Sequence, residues 1–212
     1  MLKVKSNAGI RNILELGDSF GGRNYLFNTN QGVKGWSINY GQNKTYGTGT
    51  ASPSDNDPDA VNLSIPGIEG TLNWLYAFHN GVNLEDLLPN TDYTVSFDIL
   101  LETASKVMSV IIQDGSGKDR STHIKNIIKS APANTWTTVN TTLTTLDTIC
   151  PSKTQGIYIG LANDGSFTSA QIRNLKLEKG SIATDWTPAP EDIEARLAAL
   201  ETALAQLQSG SE

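Results

Sequence analysis

From residue 24 to about residue 177 the chain alternates short β-favouring runs with clusters of Gly, Pro, Asn and Asp, the texture of many strands joined by turns. The clearest run sets Tyr93, Val95, Phe97, Ile99 and Leu101 on one face and Thr94, Ser96 and Asp98 on the other. That is the period-two pattern of a strand buried on one side only. Comparable runs occupy 61–65, 72–78, 107–113, 136–143, 157–161 and 172–177, and Asp114-Gly115 adds a positive-φ hairpin signal. Strands spaced so evenly predict an all-β, jelly-roll β-sandwich. The Gly-, Ser-, Pro- and Asp-rich stretch 47–59 predicts a mobile loop.

Beyond residue 177 the pattern changes. Asp185-Trp186-Thr187-Pro188-Ala189-Pro190 places two prolines in three residues, which neither a strand ladder nor a helix interior accepts, so 185–190 reads as a linker. Past it, Ile193, Leu197, Leu200, Leu204 and Leu207 recur at steps of four, three, four and three, a heptad seam with Leu197 and Leu204 at a. A C-terminal α-helix over 191–208 forming a short coiled coil follows, with a flexible tail over 209–212. Arg196 at g and Glu201 at the next e would pair between chains of a parallel bundle. The competing reading packs the stripe on the chain's own sandwich. Residues 1–20 form a lead-in or attachment segment in which Ile10, Ile13 and Leu14 offer an apolar contact surface, and 21–184 is the sandwich.

Composition narrows the function classes. The 212 residues carry a net charge of −6, and five acids against Arg196 alone place −4 of it after residue 190. The nearly neutral remainder lacks the basic stripe that neutralises phosphates, so nucleic acid is not an expected ligand. A single cysteine, Cys150, permits no intrachain disulfide and reads as a plain buried thiol. Neither a signal peptide nor an apolar run of membrane-spanning length is present. Synthesis in the cytoplasm is expected, with no membrane insertion.

Two segments resemble a known family. Gly21-Gly22-Arg23-Asn24-Tyr25-Leu26-Phe27-Asn28 with Gly35-Trp36-Ser37, and Leu175-Lys176-Leu177-Glu178-Lys179-Gly180-Ser181 running into Asp185-Trp186-Thr187-Pro188-Ala189-Pro190-Glu191-Asp192, are similar to the start and end of tail-associated jelly-roll modules in phages of Gram-positive bacteria. Leu88-Pro89-Asn90-Thr91-Asp92-Tyr93-Thr94-Val95-Ser96 and Trp136-Thr137-Thr138-Val139 resemble inner strands of carbohydrate-binding modules for cellulose and xylan. The resemblance spans about residues 21–192. It implies a galactose-binding-like sandwich in a virion, with Trp36 and Trp136 in the core and Trp186 packing the linker. Arg173-Asn174 stands where that family often carries acids that help hold a structural calcium, which argues against calcium there.

Catalytic patterns are few. Gly17-Asp18-Ser19-Phe20-Gly21 fits G-x-S-x-G and resembles the opening of a GDSL-type esterase, yet a nucleophile elbow needs a following helix and a histidine base, and a β-run follows instead. No paired carboxylates announce glycoside hydrolysis. Asp55-Asn56-Asp57-Pro58-Asp59 is oxygen-rich, but Ala60 and Pro66 stand where an EF-hand needs Gly and Glu. No metal or cofactor is expected. Trp74, Tyr76 and Phe78 share a strand face that is either core, the ordinary reading, or a stacking platform. A sugar site needs flat aromatic faces with polar groups beside them. Trp74 and Tyr76 are the candidate stacking residues, and Asp98, Gln113, His123 and Tyr158 the candidate polar ones.

The expectation is a non-catalytic adhesion module of a phage tail, baseplate, collar or head fibre that binds host cell-wall polysaccharide and self-associates, with a trimer favoured. The competing expectations are a purely structural virion subunit that binds other virion proteins and a GDSL-like esterase.

Overall fold

The computed structural model describes residues 22–29, 32–42, 45–67, 70–83, 86–114, 116–147, 154–162, 164 and 167–209. The expectations for Ile10, Ile13, Leu14, the Gly17–Gly21 pattern, Gly115 and Cys150 lie outside them.

Eleven named strands form two antiparallel sheets. One sheet has the order β2 (Thr45–Thr48), β1 (Trp36–Gln42), β5 (Trp74–Asn83), β10 (Thr154–Leu161), β7 (Ser105–Gln113), β8 (Ile124–Ala131). The other runs β3 (Thr50–Pro53), β4 (Val61–Ser64), β11 (Ser169–Lys179), β6 (Asp92–Leu101), β9 (Thr137–Thr144). From β4 to β7 and again from β9 to β11 the chain changes sheet at every connection, which makes the sandwich a jelly roll.

The alternation read at 93–101 is the reason the sandwich closes. Tyr93, Val95, Phe97, Ile99 and Leu101 all point into the core, where Ile38, Leu75, Ala77, Val110 and Ile159 meet them from the facing sheet. Each large aliphatic or aromatic side chain buried there contributes roughly 1.5–3 kcal/mol.

Two expectations need correction. The first half of the stretch 47–59 is strand, because β2 and β3 take ladder bonds from β1 and β4 despite their turn-like composition, while 54–59 is a loop. Trp136 is only half-buried and lies under the Arg173 guanidinium, 4.2 Å from its ring centroid; the sandwich interior is filled without it. Trp36 is in the core as expected.

Residues 183–189 are irregular but tied down. Asn24, wholly buried, donates its amide to the carbonyls of Leu175 and Thr187 and accepts from the Leu26 and Leu177 N–H groups. Trp186 donates its indole N–H to Leu175 O (3.1 Å), so it does pack this segment on the sandwich. Beneath it Lys176 and Glu178, both fully buried, form an ion pair that also bonds Thr184, the Asp185 carbonyl and the Gly22 N–H.

Helix α1 (Pro190–Ser209) starts with Pro at its first position and acids in its first turn, both suited to a helix N-terminus. The Asp192 carboxylate accepts the Asn28 N–H, and Glu191 pairs with Arg23. From Ile193 onward the helix leaves the sandwich. Ile193, Leu197, Leu200, Leu204 and Leu207 are 56–74% exposed, so the apolar seam does not pack on its own domain. Among the described residues no helix is long and apolar enough to cross a membrane.

Candidate functional site

Strand β5 places Leu75, Ala77 and His79 in the core, so Trp74, Tyr76 and Phe78 point away from it. The ordinary reading of these three as core side chains is therefore overturned by the parity of the strand. Register then brings further rings to the same outer face. Tyr158 on β10 pairs with Phe78, and Tyr46 on β2 sits opposite Gly41, which itself pairs with Trp74.

The result is one continuous aromatic strip. Ring centroids are 5.9 Å apart for Tyr46 and Trp74, 6.0 Å for Trp74 and Tyr76, 5.9 Å for Tyr76 and Tyr158, and 4.4 Å for Tyr158 and Phe78. Tyr46 is 77% exposed and the other four are half-buried, so each offers ring surface to solvent.

Glycines make the strip lie low. A Cβ on Gly41 would stand 2.5 Å from the Trp74 indole nitrogen, and one on Gly156 would overlap the Phe78 ring at 1.5 Å. The indole and the phenyl ring thus lie across bare backbone, the close approach that Gly within a strand permits. A hollow of about 340 Å³ opens beside the strip, bounded by Asn39, Tyr46, Thr48, Trp74, Tyr76 and Tyr158. A smaller one of about 100 Å³, with Asn73, Met108 and Ser109 on its walls, lies on the far side of Trp74 and Tyr76.

Gln113 stands opposite Gly156 on this face and donates its amide to Asp119 (2.8 Å). His123 stands just before β8, between Ile124 and Thr122, which bonds Thr144 of the other sheet. Burial, and then the nearby Lys125 charge, hold the His123 pKa below the usual histidine value, against the pull of Asp119. The Tyr158 hydroxyl is pushed above its ordinary pKa by burial and by the Asp114 carboxylate. That carboxylate is itself held well below the usual range by the Ser116 hydroxyl and the Arg120 guanidinium. Tyr158 therefore stays a neutral phenol, able to donate and accept at any ordinary pH.

Asp98 does not join this group. It projects from β6 on the outer face of the opposite sheet, where Thr138 Oγ1 (2.7 Å), Asn174 Nδ2 (2.8 Å) and Arg173 Nε (3.4 Å) donate to it. A bulge in β11, with Asn174 at φ 56°, turns Arg173 and Asn174 together toward it. Arg173 bridges on to Asp57, so the positive charge between these carboxylates is a guanidinium. Trp74, Tyr76, Gln113 and Tyr158 thus share one face, His123 precedes β8 at the crossing from the other sheet, and Asp98 lies across the sandwich. Sequence reasoning missed Tyr46, Asn39, Thr48 and Ser109 and left Phe78 outside the site. Period-two parity from Gly41 and Gly47, once β1 and β2 are known to pair, is the signal for Tyr46.

No protein-family model matches the chain, and no curated protein matches it. Among solved structures, the tripod from the baseplate of bacteriophage Tuc2009 is similar at a TM-score of 0.50 and 18% identity, over 80% of this chain and 59% of that one. An arabinose-bound α-L-arabinofuranosidase is similar at a TM-score of 0.50 and 12% identity, over 75% of this chain and 27% of that one. A xylan-binding domain follows at 0.48 and 16%, over 77% and 97%. The chain spans less than two thirds of the length of the first two. At these identities the likeness is one of fold, and the fold it supports is the jelly-roll sandwich already drawn from the strand order.

Proposed function

We propose that this protein is a non-catalytic saccharide-binding adhesion module of a virion, displayed in several copies by its C-terminal helix. The observation that carries the reading is the strip of five rings on the outer face of the six-stranded sheet. Soluble domains seldom leave so many aromatics in one exposed row without a partner, and flat rings flanked by hydroxyls and amides suit the apolar and polar sides of a sugar. The baseplate tripod of similar fold suits the virion setting. The exposed seam of α1 suits a homo-oligomer, favoured as a parallel trimer, whose copies add weak contacts into strong attachment.

Asp114, whose charge acts on Tyr158, is closed in by Arg120 and Ser116, which leaves it unfit as a general acid or base. The test is binding of the full chain to purified host cell-wall polysaccharide and to whole cells. Saturable binding that Trp74→Ala weakens supports the reading; binding that this substitution leaves undiminished, or ester turnover lost on Ser19→Ala, overturns it.

The exposed seam also favours a second reading, a structural subunit whose aromatic face packs on another virion protein. Copurification of such a protein through that face, without saccharide binding, would establish it.

A further inference from the structure

We infer that the strip binds an uncharged glycan chain laid across the strands from β2 toward β10, and that Gly41 is a positioning residue for it. The inference rests on the saccharide-binding reading above and names the ligand class of that site.

Direction comes first. Tyr46, Trp74, Tyr76 and Tyr158 sit on β2, β5 and β10, so the row runs across the sheet. From β2 to β10 it covers three inter-strand spacings, about 14 Å. That exceeds one sugar ring and fits several linked ones, each ring of the strip about 6 Å from the next. The hollows on both sides of Trp74 and Tyr76 leave room for substituents above and below the chain.

Charge comes second. Among the described residues, neither hollow is lined by a charged side chain; the polar groups there are Asn39, Thr48, Asn73, Ser109 and the tyrosine hydroxyls. The cations described on this face stand beyond the rings, Lys125 opposite Ser109 on β8 and Lys106 beside Met108, while Asp114 is matched by Arg120 and Asp119 accepts from the Gln113 amide. Along the rings themselves a uronate or phosphate chain would lose water and meet no cation among the described residues, whereas neutral hydroxyls exchange water for amide and hydroxyl partners.

Shape comes third. Because Trp74 lies over Gly41, a methyl group at that position must lift the indole from the sheet. Ring area and polarity stay as they were and only its attitude changes.

Affinity electrophoresis of the full chain tests this. The gels contain either neutral polymers (hydroxyethyl cellulose, arabinoxylan, galactomannan, dextran) or anionic ones (polygalacturonate, lipoteichoic acid), each at low and high salt. The expected result is retardation by a neutral polymer, unchanged by salt, with no retardation by the anionic ones. Trp74→Ala should weaken it roughly 5- to 150-fold, and Gly41→Ala should weaken it too while the melting curve stays cooperative. Salt-sensitive retardation by an anionic polymer that Trp74→Ala abolishes overturns the uncharged class but leaves saccharide binding standing. Gly41→Ala binding as tightly as the parent removes the positioning role. No retardation by any polymer, from a folded protein, overturns saccharide binding itself.

Discussion

The ammonium of Lys176 lies 3.3 Å from the Glu178 carboxylate with neither side chain exposed, and the pair fastens residues 22 and 184–185 to the last strand of the sandwich. Removing one member leaves an uncompensated charge in the interior. Lys176→Met should therefore cost on the order of 3–5 kcal/mol in urea unfolding. Adding Glu178→Gln, which removes the uncompensated charge and keeps an acceptor for one of the Thr184 and Gly22 N–H groups, should recover part of that loss. A double mutant no more stable than Lys176→Met would refute the coupling.

Neighbouring positions on β5 should respond in opposite ways. Leu75→Ala empties a core site and should cost about 2–5 kcal/mol. Trp74→Ala removes a larger side chain from the outer face and should cost markedly less, while binding falls. Melting curves of the two variants, recorded with a saccharide titration, check the contrast.

The seam of α1 predicts association. Leu197→Glu with Leu204→Glu places charge at both a positions, and light scattering should then give a monomer where the parent gives an oligomer. The melting temperature of the sandwich should hardly move, since none of these leucines touches it. A parent that is monomeric at high concentration would remove the helix from the proposed function.

His79 predicts a dependence on acid. Burial depresses its pKa from 6.5 to about 4, with the backbone carbonyls of Asn28 and Lys34 pulling the other way. Between those values the unfolded chain binds the proton and the folded chain does not. Stability should accordingly fall as pH drops from about 6.5 to about 4, by on the order of 3 kcal/mol from this group. His79→Gln should flatten that part of the profile, measured as urea midpoints across the range.

Much of this architecture was legible from residues alone, and the failures have physical causes. The run from Tyr93 to Leu101 declared itself because its core face is uniformly apolar. The heptad of α1 did so because leucine spacing survives without tertiary help. Strands β2 and β3 did not, because Thr45–Thr48 and Thr50–Pro53 are only four residues each, broken by Gly47, Gly49 and Pro53, and owe their extended state to partners on β1 and β4. Asp98 shows a second kind of limit. Parity correctly set it on an outer face, but a sandwich has two outer faces, and only pairing tells which sheet a strand joins. Trp74 shows a third. A row of large aromatics has the same period whether it points inward or outward, and the deciding residues were its small neighbours, Leu75 and Ala77, which fill the core in its place.

The two ends of β5 also differ in what they hold. Trp74 opens the strand, whereas Gly81 and Val82 near its close contact Phe27 and Leu26, beside the Asn28 that receives the helix start. The strip's Trp74 end therefore stands roughly 25 Å along one strand from the root of α1. The covalent path from that root runs through residues 183–189 into β11, in the other sheet, so a tug between a ligand on the rings and a tethered helix crosses the sandwich core. It loads the packing between the two sheets together with the polar ties that Asn24, Lys176 and Glu178 make to that segment.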